Sequence, residues 1–262
     1  MKRLINWSFT LLSCAIGCSS LRAQPVITIA PSPNPQVAIV PVAGSGSSAA
    51  AALLAGNPAL QAASFFVENR SSQPILAIII LGSSTDPRRA KPITSRMMME
   101  GFQDASLRPV LRPGSRLLVI PPGTLIPENS IPRFANLAQT LKRPFGNVEE
   151  WFRADSTVNI GIDCIVFASG EVYGLDTEHF IQELTSRKQA ADSVLAAINA
   201  GDSAALSAMA KQPPQSNDDH FSEWQKRFAA HYSSSSDPAM QAGQKHELQA
   251  YPVPPHLFRS AN

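Results

Sequence analysis

Cysteine is scarce in this chain of 262 residues, which holds only Cys14, Cys18 and Cys164. Two of the three lie in the first 23 residues, so a chain processed there keeps one thiol, and one thiol excludes an intramolecular disulfide. Stability must then come from an ordinary core. Histidine is absent before residue 179, and His179, His220, His231, His246 and His256 include no pair at the i, i+4 spacing of a helical zinc site. No Gly-x-Ser-x-Gly elbow occurs. A long apolar run is missing too: Leu4 to Ile16 is short and broken by Asn6, Ser8, Thr10 and Ser13, which excludes a comfortable membrane-spanning helix there.

What the amino terminus does contain is the pattern of an export signal. Lys2 and Arg3 form a positive start, the Leu4 to Ile16 run follows, and small residues come after it. Cleavage after Leu21-Arg22-Ala23 would leave Gln24 first. Ala15-Ile16-Gly17-Cys18 competes, resembling a bacterial lipoprotein box with Cys18 as the lipidated residue, and Leu11-Leu12-Ser13-Cys14 is a weaker rival. The expected localisation is exported, either periplasmic or secreted, with a membrane-anchored lipoprotein as the alternative. The 22 basic residues include Lys2, Arg3 and Arg22, so a chain cut at 23 carries 19 against 20 acidic residues, a net charge of about −1. That near-neutral balance carries no electrostatic footprint for nucleic acid.

Residues 24–63 hold no charged side chain and are rich in Ala, Pro, Gly, Ser and Val, including Pro31-Ser32-Pro33-Asn34-Pro35 and Gly44-Ser45-Gly46-Ser47-Ser48. The composition predicts a tether. From Ser64 short apolar runs alternate with turn signals, as strands do. Candidate strands are Ser64 to Asn69, Ile75 to Leu81, Arg96 to Phe102, Leu107 to Val110 and Ser115 to Ile120. A long one from Val158 to Phe167 is followed by a hairpin at Ser169-Gly170.

Val67-Glu68-Asn69-Arg70-Ser71-Ser72-Gln73-Pro74-Ile75, followed by Leu107-Arg108-Pro109-Val110-Leu111-Arg112-Pro113-Gly114-Ser115, resembles the strand and turn pattern of bacterial immunoglobulin-like modules in secreted proteins. The resemblance covers about Ser64 to Ile120 and implies a structural or adhesive module without catalytic residues. The expected fold is mainly β: an immunoglobulin-like β-sandwich followed by an amphipathic helix or helical hairpin, within one domain over residues 64–211.

The helical part is well marked. Asp176 is a suitable cap and Leu175 can staple onto Phe180. Phe180, Leu184, Ala191, Leu195 and Ile198 then trace one face until Gly201 stops the helix. Asp202 or Ser203 opens a second helix that Pro213-Pro214 ends. Residues 212–262 read as a largely flexible tail, apart from a helix near 219–232. There Phe221, Trp224, Phe228 and Tyr232 share a face: a stripe that either docks on its own domain or offers a partner surface.

Individual residues offer little chemistry. Cys164 alternates inward and reads as a buried, inert thiol. Asp163, Glu171 and Asp176 cluster near the hairpin but lack the oxygen spacing of a calcium loop. Asp86, Arg88 and Arg89 read as a solvated loop tip, and the Asn69-Arg70-Ser71 sequon as accidental. No catalytic, cofactor or metal site is predicted. The leading expectation is an exported, non-enzymatic binding or structural module of the cell envelope, with an envelope protein or polymer as partner and a lipid anchor if Cys18 is modified. A secreted hydrolase whose site is assembled from distant loops is the alternative.

Overall fold

The computed structural model describes residues 24–102, 107–139, 144–216, 219–249 and 251, and the backbone of 258–259. Residues 1–23, with the expected cleavage sites, Cys14 and Cys18, lie outside the described residues. Elements run β1 (Val26–Ile29), β2 (Val37–Pro41), α1 (Ser48–Leu53), α2 (Pro58–Ala63), β3 (Phe65–Asn69), β4 (Ile75–Thr85), β5 (Ile93–Glu100), β6 (Arg116–Ile120) and β7 (Thr124–Pro127). They continue with α3 (Ile131–Ala138), α4 (Val148–Trp151), β8 (Thr157–Phe167), β9 (Glu171–Gly174), α5 (Phe180–Ala200), α6 (Ser203–Lys211), α7 (His220–Ser233), α8 (Pro238–Gln249) and β10 (Phe258–Arg259).

The strands form two sheets that pack face to face. The larger has the order β10-β9-β8-β4-β5, with β1 parallel to the first half of β8, and the smaller has the order β2-β3-β6-β7. Strict alternation in the smaller sheet builds both of its faces. Phe65, Val67, Leu117 and Val119 point at the larger sheet, where Ile78, Ile80, Val158, Ile160 and Ile165 meet them. Phe66, Leu118 and Ile120 point outward and are roofed by Val42, Ala50, Leu54 and Ile131 from the α1 and α3 region. On the far side of the larger sheet, Phe180 and Leu184 of α5 cover Leu76, Ala77, Ile79, Cys164 and Val166. The carboxyl half of α5 then packs with α6, α7 and α8 around Ala191, Val194, Leu206, Ala229 and Leu248. No helix among the described residues is long and apolar enough to cross a membrane.

This architecture overturns the mainly β, immunoglobulin-like expectation. Of the described residues 40% are helix and 27% strand, an α/β mixture in which helices cover the outer face of both sheets. The sequence patterns of β3, β4 and β6 are those of strands in any layered fold, so they could not report which layers would cover them.

Residues 24–63 are likewise no tether. Their Pro, Gly and Ser residues separate two strands and two short helices: Ile29 pairs with Ile160, and Val37 with Asn69. Lack of charge here reflects burial, since Val37, Val42, Ala50, Leu54, Leu60 and Ala63 are all in the interior. The segment past Pro214 also orders more than its polarity suggests, because α8 buries Gln244 and Leu248 against the other helices. Two smaller expectations fail as well. Leu107 to Val110 forms no strand, and the chain there contributes only an isolated bridge between Ile75 and Leu111. Asp86 is no solvated tip: it is 2% exposed, accepts from Arg88 Nε at 2.8 Å and lies 3.6 Å from Arg153.

Candidate functional site

The strand β8 should, by simple alternation, send Val158, Ile160, Ile162, Cys164 and Val166 to one side. It does not. Val158, Ile160 and Ile162 face the second sheet, but so do Ile165 and Phe167, whereas Cys164 and Val166 face α5. The phase flips because Ile80 pairs with Ile162 and Ile79 with Cys164, so Asp163 is an extra residue in the ladder, a β-bulge. A bulge re-aims a side chain, and here the side chain is a carboxylate.

Asp163 is only 7% exposed. Its Oδ1 accepts from the Thr177 backbone N–H at 3.1 Å and from Thr177 Oγ1 at 2.7 Å, and its backbone oxygen accepts from the Asp176 N–H at 3.2 Å. Gly174 permits this approach: its φ is +100°, and a Cβ there would stand 2.1 Å from the Asp163 carbonyl oxygen. The second carboxylate oxygen, Oδ2, is buried with no hydrogen-bond partner.

Beside Asp163 the free edge of β8 changes partner. β1 pairs as far as Ile160, and β9 takes over at Cys164, so no strand pairs with the intervening residues on that side. An open groove of about 610 Å³ lies there, on the face that α5 leaves uncovered. Its lining includes Thr28, Leu81, Arg96, Gly161, Asp163 and Glu178. Gly161 lets the wall approach, since a Cβ at that position would meet Ala30 Cβ at 3.1 Å. Leu175 stands on the rim and is 75% exposed, so it makes no staple onto Phe180. Asp176 does cap the helix as expected, from a position further out: its carboxylate accepts from the Phe180 N–H at 2.8 Å and the Ile181 N–H at 3.3 Å.

A second polar cluster fastens α5 to the sheet. Arg187, 2% exposed, donates to Glu100 of β5 at 2.6 Å and to Glu183 at 2.7 Å, while Arg96 of β5 reaches Glu183 at 3.3 Å. The Arg187 guanidinium also lies 4.3 Å from the ring centroid of Trp224. Burial pushes the Glu183 carboxyl up, but hydrogen bonds and charge from Arg187 and Arg96 outweigh it and hold the group below its ordinary value. For Arg187 burial works against the charged form, and Glu100 and Glu183 reverse that, raising it above its ordinary value. The Tyr251 phenol is pushed up by burial, with the charge of Arg187 opposing. The four charges balance, and the cluster is a clasp between layers.

The clasp accounts for the aromatic stripe. Phe221, Trp224, Phe228 and Tyr232 are half-buried, flanking the buried Ser222, Gln225 and Ala229 of α7. Trp224 stacks on Arg187, and Phe228 lies 5.5 Å from both Trp224 and Tyr251, centroid to centroid. Gln225 donates to Ser193 Oγ of α5 at 2.9 Å. Elsewhere, Cys164 is buried among Ala77, Ile79 and Val166 and forms no disulfide, and Glu171 accepts from Gln73 and Ser169. Asn69, in the sequon, is fully buried and donates to the Gln73 and Leu111 carbonyls. No cluster suited to a metal ion occurs among the described residues.

Sequence reasoning missed the groove and the clasp. For the clasp a signal was available, as Glu183 and Arg187 stand at i, i+4 on a helix. For the groove the only hint was an aspartate in the middle of an apolar strand. Comparison of the chain with protein-family models, with curated proteins and with solved structures finds no match in any of the three.

Proposed function

We propose that the chain is an exported, non-enzymatic binding module of the cell envelope, and that its ligand sits in the groove across β8. The export part rests on Lys2, Arg3 and the apolar run after them. The observation that carries the binding part is the buried Asp163 carboxylate at the groove, with one oxygen engaged by Thr177 and the other without a hydrogen-bond partner. Buried polar atoms in folded proteins are nearly always paired, and Asp163 Oδ2 and Ser95 Oγ, both without a hydrogen-bond partner, lie on residues lining this open groove of ligand size, which supports reading it as a ligand site. The groove is favoured over the aromatic helix because Trp224 and Phe228 are already engaged with Arg187 and Tyr251.

A photo-crosslinking residue with a small diazirine side chain no larger than leucine, placed at Thr28 on the groove wall, tests the reading in the native envelope. One placed at Leu137, which is 54% exposed on α3, serves as the comparison. The reading expects a discrete adduct from Thr28 and none of the same mass from Leu137. Identical labelling from both positions, or none from Thr28, overturns the groove as the binding surface. Intact mass of the native protein tests export separately: a chain starting at Gln24 or at a lipidated Cys18 supports it, and a chain retaining Met1 removes it.

A further inference from the structure

The charges around the groove are unequal. Arg96 is its cation, and Glu183 takes up that guanidinium at 3.3 Å. The remaining charged lining groups are Asp163, buried, and Glu178, exposed on the loop before α5. The groove therefore presents uncompensated negative charge, and the Asp163 carboxylate is held in place by two donors from Thr177. Leu81, Ala30 and the exposed Leu175 add apolar wall beside it. A partner that satisfies both features has an apolar stem ending in several N–H donors and a positive charge.

We infer that the groove recognises a primary alkylammonium group, whose N–H donors complete Asp163 Oδ2 while its methylene stem lies along Leu81 and Leu175. This rests on the reading of the groove as a ligand site. A charge-assisted hydrogen bond to a desolvated carboxylate is stronger than one between neutral groups, and it leaves no buried acceptor unpaired. A hydroxyl could donate to the same oxygen but would leave the charge uncompensated. An anionic ligand would face Asp163 and Glu178 with the one guanidinium already paired.

Such an ammonium could come from a lysine side chain in a peptide or from a free diamine. The protein is titrated with Nα-acetyl-lysine amide, with its Nε-acetylated form, with the norleucine counterpart that lacks the amine, and with cadaverine. Heat of binding and the backbone amide shifts of Gly161 and Thr177 are followed. Lysine amide should bind and shift both amides, and the two analogues without an ammonium should bind at least about tenfold more weakly. Cadaverine binding as well as lysine amide identifies a free amine as the natural form; lysine amide alone binding identifies a peptide; either result supports ammonium recognition.

Asp163→Asn should abolish the preference for lysine over norleucine. Should that variant not fold, Thr28→Phe, on an exposed position of the groove wall, fills the space with Asp163 intact and should block lysine amide. Norleucine binding as tightly as lysine, or lysine binding unchanged in Asp163→Asn, overturns the ammonium while leaving a groove that binds. No shift at Gly161 or Thr177 with any amine overturns it too, and the Thr28 crosslink then judges the wider reading independently.

Discussion

The two faces of the larger sheet are covered in opposite ways. Toward the second sheet the contact is dry and apolar, with Ile78, Ile80, Val158, Ile160 and Ile165 set against Phe65, Val67, Leu117 and Val119. Toward the helices an apolar patch under Phe180 and Leu184 gives way to Arg96, Glu100, Glu183 and Arg187. Apolar burial has no direction, so the first interface tolerates small adjustments and stabilises in proportion to area. Buried charges repay their desolvation only in one geometry, so the second interface sets where α5 and α7 sit on the sheet more than how firmly they hold.

The difference is sharpest when one side chain is removed from each face. Arg187→Ala leaves Glu100 and Glu183 facing each other in the interior, and the expected loss is about 3–5 kcal/mol in urea denaturation. Replacing the group together, as Arg187→Met with Glu100→Leu and Glu183→Met, should recover most of that stability. If the triple variant is as unstable as the single one, the clasp supplies net stability rather than position. Ile80→Ala on the other face opens a cavity between the sheets and should cost about 3 kcal/mol by the same measurement. A loss near zero there would mean that the sheets close over the gap.

The smallest effect is the dependence on acid. Glu183 is held below its ordinary value of 4.5, so its contribution is full above that value and is lost as pH falls through the lower, folded value. Helical signal should therefore decline with acid before the sheet core does, followed by circular dichroism and, with Trp7 and Trp224 replaced by Phe, by fluorescence of Trp151, which packs between the sheets. Coincident loss of both signals at every pH would show that the two faces of the sheet melt as one unit.

Local pattern was a sound guide wherever the cause of an element was local. The alternation in β3 and β6, the Asp202 cap of α6 and the period of α5 are all readable from neighbours a few residues apart. Even there the detail shifted, for α5 buries Val194 where the pattern suggested Leu195. The Asp163 bulge was not readable, because apolar residues occupy both faces of β8 from Cys164 onward and alternation says nothing about which face each takes. The missed β7 begins at Thr124, directly after Pro121-Pro122-Gly123, residues that usually end a strand, and its status depends on pairing with β6.

By itself, the sequence determined the type and approximate place of β3, β4, β6, β8, α5, α6 and α7, because capping, turn chemistry and hydrophobic period act over a few residues. It also determined that a near-neutral chain with one thiol past residue 23 must rely on an apolar core. Only the tertiary structure decided that β1 lies along β8, that helices rather than solvent cover the outer sheet faces, and that Asp163 meets Thr177 at the edge of a groove. Those outcomes depend on residues far apart in the chain, whose meeting is set by the competition among apolar faces for cover and by the demand of each buried polar group for a partner.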